Sequence, residues 1–205
     1  MVDIKYLGHA SILISTDTRY IYVDPWKIVK EQPKADLILI THPHYDHFSP
    51  EDIRKIGKKE TVIVGPSDIK KIKIGENREI KPNEEIVLDW IKIKGFPAYN
   101  LNKSFHPKSN NWLGFVLEIK GEKIYIAGDT DFIPEMKNLK VDIAIVPVGG
   151  TYTMNAKEAS DAINTINPKI AIPYHWGDIV GSEEDVKLFS SSVLNAKVEI
   201  LKIEK

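Results

Sequence analysis

Thr41-His42-Pro43-His44-Tyr45-Asp46-His47 puts three of the chain's six histidines and a carboxylate into seven residues. Directly before it runs Leu37-Ile38-Leu39-Ile40, an unbroken apolar stretch of the kind a strand buried on both faces requires. Directly after it, Ser49-Pro50-Glu51-Asp52 reads as a helix start: a hydroxyl cap, a proline at the first helical position and an acid at the third. The cluster therefore lies where a strand hands over to a helix. In layered α/β proteins ligands bind beyond the carboxyl ends of strands. His42 and His44 are two apart, so an extended backbone presents both on one side, where they can grip one ion. Asp46 and His47 turn with the chain and can serve a second. Imidazole and carboxylate suit zinc, iron or manganese, and a chain with no Cys has no thiolate to offer softer metals.

Working outward, two more apolar strands end on groups of the same chemistry. Residues 123–127 run into Gly128-Asp129-Thr130, and residues 170–173 into Tyr174-His175. Alone, Asp129 reads more readily as a turn or cap residue, and His175 equally as a satisfied core imidazole; beside the cluster both become candidate ligands. Asp24 precedes Pro25 at the end of a strand expected at 20–24. It is either a plain turn residue or the carboxylate that takes a ring N–H from a ligating His and sets its tautomer. His9, after Gly8, reads as a core or supporting group rather than a ligand. The longest expected loop, residues 97–111, is rich in Asn, Pro, Ser and Lys and holds His106; loops of that length are often functional.

Short strands are expected at 6–15 and 20–24 about a Thr16-Asp17-Thr18 turn, with later ones at 143–148 and 198–203. Helices are expected at 156–166 and from the Ser182-Glu183-Glu184-Asp185 cap onward. The alternation is not strictly βαβ, so an α/β layered domain with two sheets covered by helices fits better than one doubly wound sheet. At 205 residues, one domain spanning 1–205 is expected. Twenty-eight Lys and Arg against 29 Asp and Glu leave a net charge of −1, so bulk charge draws the chain to neither nucleic acid nor anionic lipid. No apolar run is long enough to span a membrane. Asp3 and Lys5 stand where a signal peptide needs its apolar stretch, so a cytoplasmic location is expected. Arg occurs only three times against 25 Lys, and Gln once, a usage that fits a hyperthermophile and an AT-rich genome alike.

The HxHxDH run after a strand, then Gly-Asp-Thr, then a His near the C-terminus, resembles the metallo-β-lactamase fold in its lactonase-like branch of metal-dependent hydrolases. The likeness covers nearly the whole chain, Val23-Asp24-Pro25 and 149–154 included. It implies an αββα sandwich of two mixed sheets flanked by helices, with a dinuclear site at one rim. By the same resemblance His42 and His44 match ligands of a first divalent ion, Asp46, His47 and His175 those of a second, and Asp129 the bridge. Zinc comes first, with iron or manganese as alternatives. Asp24 lies behind the ligands. One departure stands out: relatives carry a further first-site His after a middle strand, where this chain has Pro97-Ala98-Tyr99-Asn100. His106 is the remaining imidazole, as replacement ligand or as substrate contact.

The implied activity is hydrolysis by a metal-bound hydroxide, with Asp46 as the catalytic proton acceptor, on a small anionic ester, lactone or phosphoester. Lys108, Tyr152, Trp176 and Trp112 are candidates for the mouth, Lys108 as the point charge for an anion. A nuclease or phosphodiesterase of the same fold is the alternative, weakened by the scarcity of Arg. A non-enzymatic metal-binding member is the other, motivated by Ala98. The expected partner is a small molecule.

Overall fold

The computed structural model describes residues 2–204. The Leu37-Ile38-Leu39 run forms β4 (Leu37–Leu39) and is buried on both faces, as its composition requires. It lies inside a six-stranded mixed sheet of order β1 (Asp3–Gly8), β2 (Ser11–Ser15), β3 (Tyr20–Val23), β4, β5 (Val62–Gly65) and β6 (Glu76–Glu79). A second sheet of seven strands runs β13 (Lys197–Val198), β12 (Ile170–Tyr174), β11 (Ile143–Pro147), β10 (Glu122–Ile126), β9 (Leu113–Ile119), β8 (Ile91–Pro97) and β7 (Glu85–Leu88). Each sheet begins with antiparallel strands and continues with parallel ones: β1–β2–β3 then β3 to β6, and β7 to β10 then β10 to β13. The two halves thus repeat one plan. This is the expected αββα sandwich.

Pleat alternation divides the core. Leu37 and Leu39 face the second sheet, joining Ile12, Val23, Phe115, Leu117, Ile126 and Ile145 in the central layer. Ile38, Ile63 and Tyr22 face outward onto α1 (Pro50–Ile56) through Ile53 and Ile56. On the far side, Tyr125, Ala144 and Val146 meet α2 (Ala156–Ile166) and α3 (Glu183–Ser192) through Ala159, Ile163, Val186 and Phe189. All three helices start where capping chemistry places them. Ser49 accepts from the Asp52 amide, while Asn155 with Glu158 and Ser182 with Asp185 close full capping boxes. No helix among the described residues is long and apolar enough to cross a membrane.

Three expectations change. The strand expected at 6–15 is two strands, because Gly8 (φ 98) and His9 (φ 50) take left-handed backbone and reverse the chain. The last strand is Lys197–Val198 only; the tail crosses to the first sheet, where Ile203 bridges Tyr6. The 97–111 loop starts after β8, which keeps Pro97 in register with Leu113, and ends in a 3-10 turn at Lys108–Asn110.

Candidate metal centre

Every candidate ligand arrives at one rim. β3 delivers Asp24, β4 the 42–47 cluster, β10 Asp129 and β12 His175, each from the carboxyl end of its strand. The β1–β2 turn adds His9, and the loop after β8 folds over to bring in His106, which is 2% exposed. His9 (φ 50), Asp24 (φ 44) and His175 (φ 60) all hold left-handed backbone, a strain of about 1–3 kcal/mol each that the surrounding fold must impose.

Ring orientations follow from the groups behind them. Asp24 is fully buried and accepts from the Thr41 amide (2.8 Å) and hydroxyl (2.6 Å), so it can only accept from His47 Nδ1 as well, at 2.8 Å. That leaves His47 Nε2 aimed at Asp129 Oδ1, 3.4 Å away. The Thr41 hydroxyl, its proton given to Asp24, accepts from His42 Nδ1 at 2.9 Å and frees His42 Nε2. Asn100 does the same for His106. Its amide nitrogen donates to Asp131 Oδ1 and the Tyr152 carbonyl, both at 3.0 Å, so its oxygen must face His106. That oxygen accepts from the His106 amide (3.0 Å) and from Nδ1 (3.2 Å), turning Nε2 to within 3.3 Å of Asp129 Oδ2. His44 presents Nδ1, 3.0 Å from His42 Nε2.

Two outer ligand groups emerge, and a third, His42, His47 and Asp129, links them. His42, His44 and His106 converge on one point; His9, Asp46, His47 and His175 converge on another, with His9 Nε2 engaged by Asp46. Asp129 stands between them, Oδ2 toward His106 and Oδ1 toward His47 and His175 at 3.4 and 3.2 Å. His106 thus joins His42 and His44, whereas Ala98, whose amide donates to the Trp112 carbonyl, brings no ligand atom.

The donor set fits divalent cations. His47 Nε2, His106 Nε2, His175 Nε2 and Asp129 Oδ1 are buried and have no hydrogen-bond partner. Each such orphan costs about 1–3 kcal/mol unless something satisfies it. Protonation favours ligation too. Burial pushes His42 well below its ordinary value and His106 down to about 4, leaving both neutral. Burial raises Asp129, but the imidazoles of His175 and His47 outweigh it and keep the carboxyl well below the usual range. Burial likewise opposes charge on His47, yet Asp129 and Asp24 push it up to about 9. A proton there stands in a nest of carboxylates that calls for positive charge.

Asn100 is the supporting group that the sequence concealed, whereas His9 takes the supporting place its sequence context suggested. His9 Nε2 meets Asp46 Oδ2 at 2.8 Å. Its position after Gly8, at a reversal, was the available signal; for Asn100 there was none beyond its place in a long loop. Two mouth candidates are corrected. Lys108 is drawn off to Glu135 (2.9 Å) and the Tyr99 hydroxyl (3.1 Å). Trp176 packs on Tyr6 and donates to the Pro173 carbonyl. Trp112 lies beneath the ligands, its ring 5.0 Å from His42 and 4.9 Å from His44, anchored by Nε1 on Asp68 at 2.7 Å.

Because Asp24 sets the tautomer of His47, Asp24→Asn should weaken cation binding about 10–100-fold at the His47 site. Chelator competition measures it, and unchanged affinity would reduce Asp24 to a turn residue.

The model of the beta-lactamase superfamily domain matches residues 3–175. A UPF0173 protein of Pyrococcus abyssi is 36% identical, over 90% of this chain and 88% of its own. A UPF0173 metal-dependent hydrolase of Thermococcus onnurineus is 34% identical, over 98% of this chain and 97% of its own. The crystal structure of a Parabacteroides distasonis protein assigned as a metal-dependent hydrolase superposes with a TM-score of 0.88 at 34% identity, covering 99% of this chain and 94% of that one. With the motif, both sheets and the rim in agreement, the chain belongs to the beta-lactamase superfamily, in its UPF0173 group.

Proposed function

We propose that the protein is a metal-dependent hydrolase of small esters, lactones or phosphoesters, holding two divalent cations, zinc foremost. One would be held by His42, His44 and His106, the other by Asp46, His47 and His175, with Asp129 between them. The observation that carries this reading is the division of Asp129, whose two oxygens face different imidazole groups. When bound, such cations act as Lewis acids that polarise an acyl or phosphoryl oxygen and bring water's pKa toward neutrality.

The protein's own residues do the rest. Asp46 lines the cavity above the centre; burial raises its carboxyl, but the His9 hydrogen bond together with the charges of His47 and His9 outweighs that and holds it below its ordinary value, ionised at neutral pH. His9 occupies Oδ2, so Oδ1 is the oxygen left to take a proton from water and return it to the leaving group. Trp112 backs His42 and His44, and Phe105 closes edge-on against Tyr152 above them (4.7 Å). The relatives named as metal-dependent hydrolases support the reaction type.

Both alternatives lose their motives. His106 stands in for the ligand missing at Ala98, which was the ground for a non-enzymatic member. No Lys or Arg lines the cavity over the centre, which a nuclease would need for backbone phosphates. A larger groove of about 400 Å³ lies across β8 and β9 and mixes Lys with Glu, but it contains no His.

The test is elemental analysis of protein expressed with zinc, manganese and iron supplied: one to two ions per chain are expected, and none would sink the reading. Asp46→Asn should slow hydrolysis of a turned-over ester by about 10²–10⁴-fold with the fold retained.

A further inference from the structure

We propose that the substrate's leaving group is a single uncharged ring: the protein cleaves neutral aryl esters and discriminates against those with an anionic substituent on the ring. This rests on the hydrolase reading and narrows it. The cavity over the centre measures about 250 Å³. Roughly 150 Å³ suffices for benzene, so one substituted ring with its ester fits and a polymer does not. Its floor is His44, Asp46, His106 and Asp129; its upper wall is Tyr45, Phe105, Tyr152 and Ile179. Three of these, Tyr45 (69% exposed), Phe105 (45%) and Ile179 (38%), belong to the ten large apolar side chains exposed among the described residues, and they gather on this one opening. Clustered exposed apolar groups mark binding surfaces more often than scattered ones do. Phe105 and Tyr152 meet at 86°, so their two ring planes make an angled slot for a third.

Charge points the same way. None of the cavity's lining residues is a Lys or Arg, and the cations on the flanking loops are engaged elsewhere: Lys27 with Asp178, Lys103 with Asp131, Lys108 with Glu135. A sulfonate or carboxylate on the ring, held against the aromatic wall away from the ligand floor, would be desolvated with no Lys or Arg beside it to pair with. The reaction itself is balanced. Water's oxygen bonds to the acyl carbon, the bond from that carbon to the aryl oxygen breaks, and the departing phenolate takes the proton held by Asp46.

The experiment compares zinc-loaded protein on two esters of matched shape, 4-(methylsulfonyl)phenyl acetate and 4-acetoxybenzenesulfonate. Each kcat/KM is divided by that ester's uncatalysed hydroxide rate, which removes leaving-group chemistry. The neutral ester should win by about tenfold or more, a difference of about 1.4 kcal/mol. Ile179→Lys, a change at a partly exposed rim position, should narrow or reverse the preference. Equal or faster turnover of the sulfonate by the unaltered protein overturns the proposal and leaves the hydrolase reading standing. Calorimetric titration with the two parent phenols separates the reverse case. If neither ester is cleaved but the neutral phenol binds preferentially, the pocket's preference for an uncharged ring holds and aryl ester cleavage falls, while elemental analysis decides the metal-dependent hydrolase reading separately. If neither phenol is preferred, the pocket assignment falls.

Discussion

On the two-cation reading, Asp129→Ala should cost the protein both cations and a large share of its heat resistance. The carboxylate is 5% exposed, and each oxygen stands 3.2–3.4 Å from imidazoles of a different ligand group. Removing it takes a ligand from two sites at once, whereas loss of any single His takes one from one. The stability effect follows from mass action: each ion at a hundredfold its dissociation constant adds about 2.7 kcal/mol to folding. For a chain of this size, 1 kcal/mol moves Tm by about 2–4 °C, so losing two ions should lower it by roughly 10–20 °C. Calorimetry in zinc and in chelator isolates that part. The unaltered protein should show the full difference between the two conditions and the variant almost none. A variant that still carries two equivalents of zinc would return Asp129 to the role its Gly-Asp-Thr context also allowed, a turn residue ending β10.

What the sequence disclosed and what it withheld divide along physical lines. Burial patterns and caps are local, so β4, the start of α1 and the whole of α2 could be read directly; Asn155 caps α2 and left-handed Asn167 ends it. His42, His44, Asp46 and His47 fall within six residues, and Asp129 and His175 each close an apolar strand; position supplied what composition could not. Chain reversal at His9 was illegible because an apolar run broken by one glycine looks like a continuous strand until the left-handed backbone is seen. The mouth was illegible for a different reason. A lysine's reach is set by its partners, and Lys108 has Glu135 from a segment 27 residues away. Tyr45, Phe105, Tyr152 and Ile179 come from four separate loops, so no local pattern could have grouped them.

The loop carrying His106 holds the second large effect. His106→Ala should remove one metal equivalent and leave the other, because it empties a corner of the His42 and His44 group while His47, His175 and Asp46 stay in place. Two imidazoles with a shared carboxylate are too few for tight retention of zinc. His9→Ala is the control: its Nε2 is taken up by Asp46, so both ions should remain. What holds His106 is Asn100, which fixes the ring through Nδ1 and the backbone through the His106 amide, and is itself pinned by Asp131 and the Tyr152 carbonyl. Asn100→Leu should therefore imitate a weaker His106→Ala, loosening one ion about 10–100-fold, as loss of a ligand's supporting hydrogen bond commonly does. Asn100→Asp keeps an acceptor toward Nδ1 and should recover part of that affinity, which a purely structural role for Asn100 would not explain. Cobalt substitution gives a readout independent of turnover: one of two visible absorption components should fade in Asn100→Leu and return in Asn100→Asp. If His106→Ala keeps two tightly held ions, the imidazole is a substrate contact, and the ligand missing at Ala98 has no replacement in this loop.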